Sequence, residues 1–259
     1  MMNQEKPFFS IITASFNSEK TIYKTIESIL NLDFTEKPFE YIIIDGNSSD
    51  KTLEIIKSFE SKFLEKNITF SYISEPDKGI YDAWNKGVKL SKGNWISFIG
   101  SDDMYLPFAL TKYYNSILNC PVNVNYISSK VEIIDSNYNP IRVIGSLYVW
   151  GEMIRGMNIA QVGSFHKDEL FEKNGFFSTE YKIVGDLDFY IRSKSIIIPE
   201  FFESITAKMQ NGGVSNQIFK ALKEAMVVKL KYKYTAKALI YYDFLMSLTK
   251  CYIKIIIKK

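Results

Sequence analysis

The sequence predicts an α/β protein with a mostly parallel sheet flanked by helices, and three observations carry that prediction. Four short apolar segments rich in β-branched and aromatic residues recur in the first hundred positions. Stretches with apolar residues at helical spacing separate them. Each segment ends in a polar cluster: TASFN, DGNSSD, EPDKG or GSDD. Strands that are apolar on both sides belong to sheets covered on both faces, and the helical stretches supply the crossovers that parallel pairing needs.

Residues 8–13 (FFSIIT) are the first predicted strand. A helix follows over 19–30, with Ile22, Ile26, Ile29 and Leu30 on one face and Asn17 or Ser18 as its cap. The pattern repeats with a strand at 39–44 (FEYIII) and a helix at 52–63 through Leu53, Ile56, Phe59 and Phe63. A third strand at 69–73 leads to a helix at 80–90, and a fourth strand occupies 94–99 (NWISFI). After Pro107 the alternation loosens. A helix to Asn119 and strands at 124–134 and 141–144 read as a mixed edge of the sheet, with short helices at 151–155, 169–173 and 186–192. From Gln217 onward the chain reads as one or two long helices, so the organisation is a Rossmann-like body over 1–216 and a helical tail over 217–259.

A chain of 259 residues suffices for one large domain, or one domain with an appendage, and 46% apolar with 24% charged residues is a globular composition. Cys120 and Cys251 are too far apart in sequence for metal-ligand spacing or a disulfide framework, which points to free thiols in a reducing, cytoplasmic setting. The N-terminal segment MMNQEKPFFS has no long apolar core of the signal-peptide kind. The net charge of +3 is unevenly placed: ten Lys against Glu224 and Asp243 give the tail +8 and leave −5 for the body.

In open α/β sheets ligands bind beyond the carboxyl ends of the strands, so the four polar clusters are expected to converge on one crevice. Asp102 and Asp103 are adjacent carboxylates at a strand end, which repel unless a cation or hydrogen-bond donors compensate them. A hard divalent ion shared with diphosphate oxygens fits; a turn with Asp as helix cap is the plainer reading. Asp45 could accept hydrogen bonds from a base or ribose, with Gly46 allowing close approach, whereas Asp50 reads as a helix cap. In DKGIYDAWNKG, Asp82 and Asn85 share a helix face near Asp77 and Lys78, while Lys86 suits a solvated face. Asp186 follows a glycine at a helix start, as a cap or as a general base, and Asp188 competes for the same role.

Taken together, TASFN, DGNSSD, EPDKGIYDAWNKG, GSDD and VGDLDFYIR resemble the family 2 glycosyltransferases, over roughly residues 8–215. The resemblance implies the GT-A fold and a nucleoside-diphosphate sugar donor. It places Thr13 and Asn17 at the nucleotide pocket, Asp45 on the base, and Asp77, Lys78, Asp82 and Asn85 along the donor. It further implies Ser101 and Asp102 beside the ribose or sugar, Asp103 holding Mg²⁺ or Mn²⁺, and Asp186 as the base of an inverting displacement. The chain departs from the family pattern at Ser101-Asp102-Asp103 in place of D-x-D, at Gly185 in place of Glu, and at Ala160 in place of His before Gln161. Gln161, His166 and Asp188 are candidate acceptor or diphosphate contacts, with His166 alternatively a plain wall residue.

The segment 238–257 is apolar and aromatic but interrupted by Asp243, Lys250 and Lys254, which argues against a spanning helix. It suits an interfacial helix on anionic lipid at the cytoplasmic face of the inner membrane, or a helix packed on the body or on a second copy in a homodimer. The membrane reading would bring a lipid-linked glycan acceptor of cell-surface polysaccharide or lipopolysaccharide synthesis within reach. No nucleic-acid recognition motif accompanies the basic tail. The alternatives are a glycan-binding scaffold on the same fold, against which Asp103 and Asp186 speak, and a nucleotidyltransferase, for which TASFNSEK lacks the glycine-rich phosphate loop.

Overall fold

A computed structural model describes residues 5–155, 159–212, 217–233 and 235–257, with side chains described as far as Thr249. The expected boundary at 216/217 and the charges of Lys250 and Lys254 fall on positions or side chains outside the described residues.

The strands form one sheet. β1 (Phe9–Ser15) lies between β2 (Phe39–Asp45) and β4 (Trp95–Gly100), with β3 (Thr69–Ser74) beyond β2, all parallel. Antiparallel β8 (Ser164–Lys167) follows β4, then β6 (Tyr126–Ile134) and β9 (Pro199–Gln210), which is parallel to β6. β5 (Met104–Tyr105) edges β9, and β7 (Pro140–Ile144) pairs with β6. The four apolar segments are therefore the parallel half, as expected, and their polar ends share one edge.

Side-chain alternation along the strands builds two cores. Ile11, Tyr41 and Ile43 pack on one face with α1 (Ile22–Leu30) and α5 (Ala109–Asn119). Ile12, Ile42, Ile44 and Phe98 pack on the other with α4 (Ile80–Leu90) and α8 (Gly185–Arg192). Each such fully buried side chain contributes about 1.5–3 kcal/mol. Gly87 lets α4 lie close to the sheet, because a Cβ there would sit 2.4 Å from Ile12 Cγ2.

The structure departs from the sequence prediction at one helix and at the strands β5, β8 and β9. The helix expected at 52–63 is split into α2 (Thr52–Lys57) and α3 (Glu60–Glu65), and Ser58 Oγ donates back to the Ile55 carbonyl at the break. β8 and β9 were not foreseen: β8 is four residues long, and β9 begins at a proline and is half-buried on both sides, so neither shows a clean period of two. The tail is α9 (Ile218–Lys231) and α10 (Lys237–Ile257), and no helix among the described residues is long and apolar enough to cross a membrane. α6 (Trp150–Met153) and α7 (Glu169–Asn174) fall where short helices were expected.

Candidate active site

The carboxyl ends of β1, β2, β3 and β4 bring the polar clusters together through a hydrogen-bond network centred on Asp45. Its Oδ1 accepts from Ser15 Oγ (3.0 Å) and Ser48 Oγ (2.5 Å), and its Oδ2 from Ser48 N (2.9 Å) and Ser74 Oγ (2.7 Å). Asp45 is fully buried, with both carboxylate oxygens engaged by these donors. Asn17, in the left-handed region at φ 48°, accepts from Ser49 N (2.9 Å) while its own amide donates to Ser48 Oγ (2.8 Å), tying the first turn to the second. Asp50 accepts from Thr52 N just ahead of α2, but the N-cap position itself falls to Lys51 and not to Asp50 as expected.

Gly46 makes room for what stands over this network. A Cβ at Gly46 would lie 2.6 Å from Asp77 Oδ2 and 3.3 Å from the Phe16 ring. Phe16 is 63% exposed, an aromatic face held beside a carboxylate at the crevice edge. Asp77 Oδ1 accepts from Gly79 N (2.7 Å), and Asp82 reaches back to Lys78 N (3.0 Å) at the start of α4. Lys86 pairs with Glu75 at 2.8 Å on the helix flank.

The acidic pair converges over Gly100. A Cβ there would meet Asp102 Oδ1 at 2.8 Å and Asp103 Oδ2 at 2.9 Å. Asp103 is buried, and its oxygens accept from Gln210 N (2.9 Å) and Gly100 N (3.3 Å). Burial, then repulsion from Asp102, pushes its carboxyl up to about 7. Asp102 is also raised by burial, yet accepts no hydrogen bond from another residue among those described. Ser101 Oγ shares a hydrogen bond with Ser18 Oγ (2.8 Å). Two carboxyl groups brought together over one glycine fit a divalent cation. Among the described residues no group of three or more Asp, Glu, His or Cys side chains is placed to hold a metal ion.

Asp186 lies in the first turn of α8, 9% exposed. Its Oδ1 accepts from Leu187 N (2.8 Å) and lies 3.2 Å from the Tyr81 hydroxyl, which donates to the Ile183 carbonyl at 2.7 Å. Burial pushes its pKa up to about 6, against the lowering pull of these donors. Gly185 explains the missing glutamate: a Cβ there would sit 2.8 Å from two carbons of the Tyr81 ring. Behind Asp186, Glu224 of α9 accepts from three successive amides, Lys182 N (3.1 Å), Ile183 N (2.9 Å) and Val184 N (3.3 Å). Lys182 Nζ in turn donates to the Lys78 carbonyl, linking this turn to the donor-side motif.

Several expected contacts are committed elsewhere. Thr13 is buried inside the sheet with Oγ1 accepting from Tyr41 (3.0 Å). Asn85 spends its amide on both backbone groups of Phe177 (2.9 Å each). His166 is fully buried among Phe98, Tyr126, Phe171, Phe189 and Tyr190, and burial lowers its pKa to about 3. It therefore stays neutral; its Nε2 contacts Tyr190 Oη at 3.1 Å, and that hydroxyl donates to Gln161 Oε1 (3.2 Å). Asp188 is buried against Arg192 Nε (2.9 Å) and the Tyr232 hydroxyl (2.9 Å), the latter contact fastening α8 to the chain just past α9. Sequence reading missed Phe16, Tyr81 and Glu224. Phe16 and Tyr81 stood inside the quoted motifs, whereas nothing local marks Glu224.

Comparison with known proteins accords with this architecture. The family model "Glycosyl transferase family 2" matches residues 10–184. A "PGL/p-HBAD biosynthesis glycosyltransferase" of Mycobacterium bovis is 28% identical over 222 residues, 82% of this chain and 80% of that protein. Among solved structures, residues 1–349 of Staphylococcus aureus TarS in complex with UDP-GlcNAc superpose with a TM-score of 0.67 at 18% identity, over 93% of this chain and 71% of that one. This chain spans 42% of the longer TarS structure. The mannosyltransferase PcManGT of Pyrobaculum calidifontis, in complex with GDP-Man and Mn²⁺, gives 0.65 at 13% identity, over 96% and 76%. These structures share the GT-A fold expected from the motifs. The family match runs through every strand-end cluster just described and leaves the nucleotidyltransferase alternative without support. The chain belongs to glycosyl transferase family 2 and is a glycosyltransferase.

Proposed function

We propose that the protein transfers a sugar from a nucleoside-diphosphate donor to an acceptor hydroxyl in one inverting displacement, with Asp186 as the base. The observation that carries this reading is the state of Asp186. One oxygen is anchored by Leu187 N and Tyr81, the other accepts no hydrogen bond among the described residues, and the proton affinity is raised toward neutrality. Asp186 takes the acceptor's proton as its oxygen bonds to the anomeric carbon, and the bond from that carbon to the diphosphate oxygen breaks. The nucleoside diphosphate leaves with the bonding electrons, and no covalent sugar–enzyme intermediate forms.

On the donor side, Phe16 offers a stacking face for the base, with Asp77 beside it. Asp102 is the better first ligand for Mg²⁺ or Mn²⁺ than Asp103, whose oxygens are engaged by backbone amides. The bound ion would supply charge neutralisation for the departing diphosphate. The nucleotide-sugar complexes of TarS and PcManGT, the latter with Mn²⁺, support this reading. The acceptor is a glycan or lipid-linked glycan of the cell surface, reached from the cytoplasmic face of the membrane.

Calorimetric titration with UDP, GDP and dTDP, with and without Mn²⁺, tests the donor site. One nucleotide should bind in a Mn²⁺-dependent manner. Asp102→Asn should abolish the metal effect, Asp103→Asn should weaken it less, and Phe16→Ala should cost about 1–3 kcal/mol of nucleotide affinity, as lost base stacking does. A folded protein that binds none of the three has no donor site of this kind.

A further inference from the structure

We propose that the acceptor is an amphiphile whose alkyl chain or aromatic ring enters a cavity between the tail helices and the helix carrying Asp186. This inference rests on the assignment of Asp186 as the base. The cavity measures about 300 Å³, and Asp186 is itself one of its lining residues. Leu187 of α8, Ala221, Leu222 and Ala225 of α9, and Ile240 and Phe244 of α10 give it an apolar wall. It is roughly twice the size of an engineered 150 Å³ cavity that stays dry and takes up benzene. A ring or a medium-length alkyl chain therefore fits against the apolar part of the wall.

Three further observations favour an apolar, uncharged occupant. The charged groups in the wall balance, with Arg155 and Lys229 against Asp186 and Asp243, so there is no net demand for an ionic ligand. The cavity is flanked by packed residues: Val228 of α9 and Ile240 of α10 are fully or almost fully buried, and Glu224 holds α9 on the turn before α8. The space is thus built into a docked tail rather than left by loosely placed helices. Finally, a hydroxyl at the head of a chain in this cavity would lie beside the carboxylate that must take its proton, which makes the cavity an acceptor-side feature.

The test uses the full chain and two probes that differ only in apolar length, methyl β-D-glucoside and n-octyl β-D-glucoside, the latter below its micelle concentration. Burying a methylene is worth about 0.8 kcal/mol, roughly fourfold in affinity, so the octyl compound should bind tighter by tenfold or more even if only part of its chain is covered. Ala221→Phe and, from the opposite wall, Ser247→Phe should each erase that preference while the nucleotide still binds, which also reports that each variant is folded. Equal binding of the two glucosides, no binding of the octyl compound, or a preference untouched by both substitutions would overturn the proposal. Nucleotide binding that persists in any of these cases leaves the donor-site reading standing and removes the cavity assignment alone. If no nucleotide binds the wild-type chain, the donor reading fails first and the cavity loses its acceptor role with it.

Discussion

At the scale of single residues, the site is decided by which oxygens of each carboxylate are already engaged. Asp45, Asp103 and Asp188 have theirs largely satisfied by the protein, whereas Asp102 and Asp186 keep one or more available. That distinction lies outside what sequence can carry. Close contacts tie several of the motifs together, Gly46 against Asp77, Ser101 to Ser18 and Tyr81 to Asp186, but Thr13, Asn85 and His166 face inward, toward partners (Tyr41, Phe177 and Tyr190) that lie far along the chain. With Asp186 as the proposed base, its raised pKa sets a kinetic expectation. A base works ionised, so kcat/KM should be level above neutrality and fall about tenfold per unit once the pH drops below about 6. Asp186→Asn should remove that limb and lower kcat by about 10²–10⁴ with nucleotide affinity retained. An acid limb that survives in Asp186→Asn would assign the base elsewhere.

At the scale of elements, the parallel half of the sheet was legible because β1, β2 and β4 are apolar on both faces and the intervening helices show a 3.6-residue period. The mixed half was only partly so: β6 and β7 were foreseen from their apolar runs, whereas β5, β8 and β9 are either very short or half-buried. The tail helix α9 was foreseen as a helix, but not as a support of the site. Glu224 sets a carboxylate under three amides at the entry to α8, where the helix N-terminus also favours an anion, and Tyr232 joins Asp188 from the far end of the same helix. On the proposed mechanism Glu224 is a positioning residue for Asp186. Glu224→Ala should lower kcat by about tenfold or more through displacement of Asp186, and it should shift the acid limb while leaving nucleotide affinity unchanged. Glu224→Gln, which keeps a carbonyl acceptor, should recover much of the rate. Loss of thermal stability with an unmoved pH profile would instead mark the contact as merely structural.

At the scale of the whole molecule, the basic tail follows an acidic body and exposes large apolar side chains. Phe219 on α9 and Tyr241, Tyr242 and Leu245 on α10 are each about half exposed or more. Lysines and exposed aromatics on one pair of helices suit the surface of an anionic bilayer. The protein should therefore float with vesicles containing phosphatidylglycerol, and markedly less with neutral vesicles or at high salt. Equal recovery from both vesicle types would turn attention to a second copy as the covering surface, which the sedimentation coefficient reports.

The contact between Tyr81 and Gly185 has one more consequence, for anyone exchanging segments between relatives. The two positions lie over a hundred residues apart, yet the ring of one occupies the space a side chain at the other would need. A chimera that imports α4 from another family member, or restores a glutamate at position 185 to match the family pattern, inherits only half of a fitted pair. Such exchanges should succeed when both positions travel together, so the natural unit of recombination in this enzyme is a contact and not a contiguous stretch of chain.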